Sequence, residues 1–243
     1  LIEKYGVDSL RWYFFTVNNP GDPKRLGEQN ISDTLRKFEL ILWNVYSFFI
    51  TFANIDKWNS KEIITSDNVL DRWILSKINE LNINAQKNLD NFNVVNAARV
   101  IQDFNNDLST WYLRRSRKRR DAKFYSTLYL VLINFTKIIA PFVPFISEAI
   151  YKNLRLDKDL ESVHLCDWPK AGKVDRQLLL DMARARSIVQ DAHALRSAQN
   201  IRVRQPLTRL KYPDKLPSEI EEIIKDEVNV LKVTSKDSGE VEL

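Results

Sequence analysis

From residue 33 onward the apolar side chains Leu35, Phe38, Ile41, Leu42, Val45, Phe48, Phe49 and Phe52 recur at intervals of three and four. That spacing places them on one stripe of a helix. Ser32 stands just ahead as the expected N-cap, because its hydroxyl can accept from the open amides of a first turn. After a polar break, Leu70, Trp73, Ile74, Ile78, Leu81 and Leu89 mark a second helix behind the cap residues Ser66 and Asp67. A third stripe runs through Val94, Ala98, Ile101, Phe104, Leu108 and Trp111 and leads directly into a run of basic residues. A fourth helix, expected over 124–139, is apolar enough to lie at the centre of a group, and Pro141 ends it. Pro144 opens a further helical stretch through Tyr151, since a first turn does not need the missing amide. Short links between successive helices predict antiparallel neighbours, hence a helical bundle over residues 31–170.

The period changes further on. One long amphipathic helix follows Asp175, with Leu178, Met182, Ile188, Val189, Ala192 and Leu195 on its apolar side. Strands are then expected over 207–212 and 228–234, with a helix over 218–226 between them and a turn at Asp237, Ser238 and Gly239. Residues 171–243 therefore read as a long helix plus a small α/β unit. The fold class is mainly α, and five glycines and eight prolines in 243 residues agree with long uninterrupted helices.

Composition narrows the chemistry. One cysteine excludes an internal disulfide, and two histidines with it leave no ligand set for a structural zinc. His164 and Cys166 lie two residues apart, but without further ligands or a base they read as an ordinary pair. No glycine-rich phosphate loop, Gly-x-Ser-x-Gly or His-Glu-x-x-His run is present, so no catalytic residue, metal or cofactor is assigned to this chain. The apolar stretches 38–55 and 124–150 are interrupted by Glu39, Asn44 and Asn54, and by Lys137, Pro141 and Pro144, and read as buried core helices, with no membrane partner. A reducing cytoplasm is the expected setting.

The net charge of +5 only permits an anionic partner; the placement of the charge points to one. Six of the seven side chains Arg114, Arg115, Ser116, Arg117, Lys118, Arg119 and Arg120 are cationic. Like charges three and four apart on a helix repel, so local stability does not select such a run. Arginine forks grip phosphate and stack on bases, and Trp111 and Tyr112 lie one turn away. Arg114 and Arg115 fall on the same side of the helix as Trp111, which itself continues the apolar stripe. A plainer alternative is a helix C-terminus whose cations complement the macrodipole and pair with Asp103, Asp107 or Asp121. A second basic group, Arg196, Arg202 and Arg204, spans the junction from the long helix to the first strand; a C-cap at Asn200 with a solvated strand edge is its alternative.

Several runs resemble isoleucyl-tRNA synthetase, a class I aminoacyl-tRNA synthetase. Leu1 to Tyr13 is similar to the helix following that family's Lys-Met-Ser-Lys-Ser signature, and the segment around Trp43, Asn44 and Val45 to its first anticodon-binding helix. Trp111, Tyr112, Arg114, Arg115, Ser116 and Arg117 resemble its Trp-Tyr-x-Arg-Arg-Ser-Arg pattern; Arg204, Gln205, Pro206 and Leu207 resemble its Arg-Gln-Pro-Leu run. The resemblance implies that residues 1–30 close the catalytic core or contact the tRNA stem, that residues 31–170 form the anticodon-binding bundle, and that the partner is the anticodon stem-loop of tRNA(Ile). The parent enzyme would use ATP and Mg²⁺ to join isoleucine to its tRNA, attached to the remainder of the synthetase chain. This part alone is expected to be inactive. A valine-type sibling, a protein-interaction scaffold with a basic face and membrane-surface attachment through residues 114–120 remain alternatives at this point.

Overall fold

The computed structural model describes residues 1–213, 215–236 and 241–242. The chain divides into two units, Leu1–Val174 and Asp175–Leu243.

The first unit is built on helices. A single turn, Ile2–Tyr5, breaks at Gly6 (φ 79°) before α1, Val7–Thr16. Trp12 of α1 stacks on Phe38 with ring centroids 3.8 Å apart and meets Phe142 edge-on at 5.7 Å. α2 covers Glu28–Ile55 and contains one widened turn at Leu35–Glu39. It starts a turn earlier than the sequence predicts. Gln29 bonds Asp33 at 2.9 Å and fully buried Ile31 anchors the extra turn, so Ser32 lies inside the helix, where its hydroxyl accepts from Arg36. By length and composition α2 could cross a membrane, and about a third of its most apolar window is buried inside the protein.

α3, Val69–Asp90, is capped by Asn68, whose side chain accepts from the Leu70 amide at 2.9 Å. Ser66, an expected cap, instead donates to Asp71. α4, Val94–Asp107, continues through a widened turn, Leu108–Leu113, into the short turn Arg114–Ser116. α5, Ala122–Ile139, is capped by Asp121 and buries Leu128, Leu132, Phe135, Ile138 and Ile139 completely, as its apolar run predicts. α6, Pro144–Leu154, begins on proline, and its open amides at Phe145 and Ile146 donate to Asp8 of α1 at 3.0 and 2.8 Å. Burial raises the Asp8 pKa, opposed by those two amides. Beyond α6, Trp168 donates to Asn82 (2.5 Å) and Gly172 to Asn79 (2.9 Å), fastening the end of this unit to α3.

In the second unit, α7, Arg176–Ala198, is capped by Asp175. β1, Leu207–Pro213, and β2, Val230–Lys236, pair in parallel, Leu207 opposite Val230 and Leu210 opposite Val233, with α8, Ser218–Val228, crossing between them. The second strand starts later than its pattern implies, because Ile220, Ile224 and Val228 form one buried stripe that holds the helix to Val228. Asn229 then ends it in the left-handed conformation, φ 55°. The turn expected at Asp237, Ser238 and Gly239 lies outside the described residues.

Candidate nucleic-acid interface

The end of α4 sorts the basic run by depth. Trp111 is 7% exposed, with the Arg114 and Arg115 guanidinium carbons 5.9 and 5.7 Å from the indole centroid. Both arginines therefore lie beside the ring, but the ring is core and offers no open face for a base. Arg114 also donates from Nε to the Thr110 carbonyl at 2.8 Å. Arg117 and Lys118 are exposed, and Arg115 is half-buried.

Both of the next two arginines pair with acids of the fold, Arg119 turned inward and Arg120 at the surface. Arg119 grips Asp71 of α3 with two parallel hydrogen bonds, Nη1 to Oδ1 at 2.8 Å and Nη2 to Oδ2 at 2.7 Å. Asp71 is fully buried and also accepts from the Tyr112 hydroxyl (2.7 Å) and the Ser66 hydroxyl (2.5 Å), so four donors meet its four lone-pair sites. Burial pulls the Arg119 pKa down, yet the hydrogen bonds to Asp71 and Asp121 outweigh it and hold the pKa above the ordinary arginine value. Burial, reinforced by the neighbouring Asp71 charge, pushes the Tyr112 phenol well above its usual range. Arg120 binds Asp56, at the end of α2, through Nε and through Nη2 (2.6 Å), and lies 4.4 Å from the Phe52 ring centroid. The Tyr125 hydroxyl joins the same carboxylate. Hydrogen bonding from Arg120 holds the Asp56 carboxyl below the usual carboxylate range.

Arg119 thus departs from the expected phosphate-facing role, whereas Arg120, paired with Asp56, stays at the surface. The Arg119 charge is matched inside the fold because a buried carboxylate such as Asp71 is tolerated only when paired and hydrogen-bonded. Of the acidic partners the sequence offered, Asp121 does bond Arg119, at 3.2 Å, whereas Asp107 pairs with Lys77 at 3.5 Å. Asp71 was the missed residue. It is a lone carboxylate on the apolar stripe between Leu70 and Trp73, which signals a buried partner.

A second departure concerns Arg196. It is 1% exposed, and its guanidinium donates to the carbonyls of Arg202, Gln205, Val228 and Asn229 at 2.7–3.1 Å. Burial lowers its pKa. A cation at the end of α7 that ties the 201–206 loop to the end of α8 is a structural clasp. Arg202 and Arg204 are exposed on that loop, and Asn200, in the left-handed region at φ 56°, turns the chain into it. The pair at His164 and Cys166 is separately occupied: the His164 ring lies 3.3 Å from the Pro144 carbonyl, and Cys166 contacts the Tyr151 hydroxyl at 3.2 Å.

Residues 71–211 match the family described as the anticodon-binding domain of tRNA ligases. The chain belongs to that family. It is 43% identical over 249 residues to the isoleucine–tRNA ligase of Clostridium novyi (strain NT), covering 96% of this chain and 24% of that protein. The isoleucine–tRNA ligase of Dehalococcoides mccartyi (strain CBDB1) is 39% identical, with 98% and 26% covered. The chain therefore spans about a quarter of the length of these relatives. Among solved structures, the LeuRS–tRNA–LeuAMS ternary complex of Agrobacterium radiobacter K84 superposes with a TM-score of 0.54 at 16% identity, covering 73% of this chain and 21% of that one, a likeness of fold alone. The family membership agrees with the resemblance read from Trp111 to Arg117.

Proposed function

We propose that this chain is the tRNA-binding part of an isoleucine–tRNA ligase and recognises the anticodon stem-loop of tRNA(Ile). One observation carries the reading. In an anticodon-binding domain, the end of α4 presents Arg114, Arg117 and Lys118 at the surface while Arg119 and Arg120, immediately behind them, are locked to acids on α3 and α2. Cations held on a pinned backbone lose little freedom on meeting phosphate, and each contact gains from the release of condensed counterion. Arg114 and Arg115, buttressed by the Trp111 ring, have the planar forks that read base edges. Arg202 and Arg204 supply a second basic contact from the loop before β1. In this proposal ATP and Mg²⁺ act in catalysis elsewhere in the parent enzyme, in the cytoplasm, and the chain contributes binding.

The test is a gel-shift series with tRNA(Ile) and anticodon-swapped transcripts at several salt concentrations. Affinity is expected to fall steeply with salt and to favour the cognate anticodon. Binding that ignores both salt and anticodon refutes the proposal and favours an acidic protein partner for the same face.

A further inference from the structure

The parallel strands of the second unit set two cations side by side. Arg209 of β1 is the register partner of Lys232 of β2, so both side chains leave the same face of the sheet, from backbones about 4.8 Å apart. We propose that this face binds the phosphate backbone of an RNA duplex; the inference rests on the RNA-binding reading above and goes beyond it by giving the second unit a duplex-binding surface with no preference of sequence.

The alternation of β1 fixes which face is open. Leu210 and Tyr212 are fully buried on the side covered by α8, where the Tyr212 hydroxyl donates to Glu221 at 2.5 Å. Arg209 lies on the opposite face and is exposed, as is Lys232. Neither forms a hydrogen bond or ion pair among the described residues. Lys211, two residues along on that face, is tied to Glu242 at 3.3 Å and is not counted. Both heads of the opposed pair therefore stand open to solvent.

Like charges directly opposite on neighbouring strands destabilise a sheet. A sheet of two strands has little stability to spare, so the fold gains nothing locally from this pair. Cations also guard sheet edges against pairing with another chain, but that role needs no opposed pair. The acids Glu219, Glu221, Glu222, Asp226 and Glu227 are gathered on α8, across the sheet. An external polyanion accounts for cations on one side of the sheet and acids on the other.

The loop ahead of β1 extends the surface. Arg202 and Arg204 are exposed, and the Arg196 guanidinium holds the Arg202 and Gln205 carbonyls at 3.1 and 3.0 Å, so the loop is fixed before any ligand arrives. Arg204 precedes Arg209 by five residues, at most about 18 Å of chain.

What the open face lacks identifies the form of the RNA. Leu207, Arg209 and Lys211 on β1 and Val230, Lys232 and Thr234 on β2 include no aromatic ring, and the tyrosine of β1 is turned inside. An unstacked loop is gripped by stacking on such rings, whereas a duplex is held through its backbone.

The experiment uses the whole chain with three probes: an RNA duplex of about 16 base pairs, a second duplex of shuffled sequence, and one strand alone. Wild type should bind both duplexes equally, with an affinity that falls as salt rises. The double variant Arg209→Ala with Lys232→Ala should lower the log–log salt slope on either duplex by about 2, at roughly 0.9 per cation, and by less on the single strand. Arg209→Glu is a second arm. Opposite Lys232 it forms a cross-strand ion pair, so the melting temperature should hold or rise while duplex affinity falls further than in Arg209→Ala. A loss as large on the single strand overturns the assignment to a duplex. If neither variant moves the slope, or wild type holds neither duplex, the inference falls, while salt-dependent binding of the anticodon stem-loop by wild type leaves the RNA-binding reading standing. Binding of poly-glutamate through the same two residues, with the duplexes unbound, overturns it in favour of an acidic protein. Failure of wild type to bind duplex and stem-loop alike overturns both readings.

Discussion

Replacing Arg119 by alanine separates the structural half of the basic run from the half proposed to face RNA. Asp71 is fully buried and receives four hydrogen bonds, two of them from Arg119. Removing one partner of a buried ion pair costs about 3–5 kcal/mol, mostly from the uncompensated charge left behind. The lower end applies here, about 3 kcal/mol, because Tyr112 and Ser66 still donate to Asp71 and the Arg119 side chain is 22% exposed. For a protein of this size that corresponds to a fall of roughly 6–12 °C in melting temperature. The double variant Asp71→Asn with Arg119→Ala removes both charges while keeping an acceptor for the Tyr112 and Ser66 hydroxyls, and should recover most of the loss, giving a coupling energy of about 2 kcal/mol in a cycle closed by Asp71→Asn alone. Urea titrations of the four proteins measure the cycle, and RNA affinity is then read at a temperature where each is fully folded. Under those conditions Arg119→Ala should leave the salt dependence of binding unchanged. The reasoning fails if Arg119→Ala costs less than about 1 kcal/mol, or if the folded variant loses salt dependence as an exposed arginine variant does.

Three further outcomes are expected. Arg117→Ala and Lys118→Ala should each change stability by less than about 0.5 kcal/mol and lower the log–log salt slope for stem-loop binding by roughly 0.7. Glu39 is raised to about 7, chiefly by burial, with Ser9 hydrogen bonding against the rise and the Asp8 charge adding to it. A carboxyl raised on folding stabilises the protein below its unfolded pKa, and that contribution fades as pH climbs from about 4.5 through about 7. Allowing for solvent screening, thermal melts should show a decline on the order of 1–2 kcal/mol over that window, and Glu39→Gln should remove it. Arg196→Met should expose the β1–β2 amides to faster hydrogen exchange by loosening the clasp, by about 2 kcal/mol, while leaving the salt slope intact.

Much of the fold was legible because buried stripes keep their period. α3, α5 and α7 carry long runs of three- and four-residue spacing, and Asp175 and Pro144 mark the starts of α7 and α6 by plain local chemistry. The start of α2 was not, since the residues that extend it, Glu28 to Ile31, are mostly polar and a good cap candidate lies just beyond them at Ser32. The widened turns at Leu35–Glu39 and Leu108–Leu113 left no mark that spacing alone would reveal. At the candidate interface the presence of charge was legible but its direction was not. Asp56 and Asp71 lie 64 and 48 residues from the arginines they hold, so no local pattern pairs them. Arg196 read as a candidate RNA contact for the same reason: the carbonyls that bury it belong to residues 202, 205, 228 and 229.

That difference has a measurable consequence for the whole interface. Counted from the sequence, the run offers six cations, and at about 0.7 counterions per phosphate on single-stranded RNA they would give a log–log salt slope near 4. Two of the six, Arg119 and Arg120, already have their charges matched by Asp71 and Asp56 and release less counterion on meeting phosphate. The other four, Arg114, Arg115, Arg117 and Lys118, set an upper bound on the slope of about 3 from this surface. A stem-loop binding series on an Arg202→Ala, Arg204→Ala, Arg209→Ala, Lys232→Ala background isolates that contribution from the second unit. A slope near 4 there would mean that the inward pairs open on binding, and the assignment of Arg119 and Arg120 to the scaffold would have to be withdrawn.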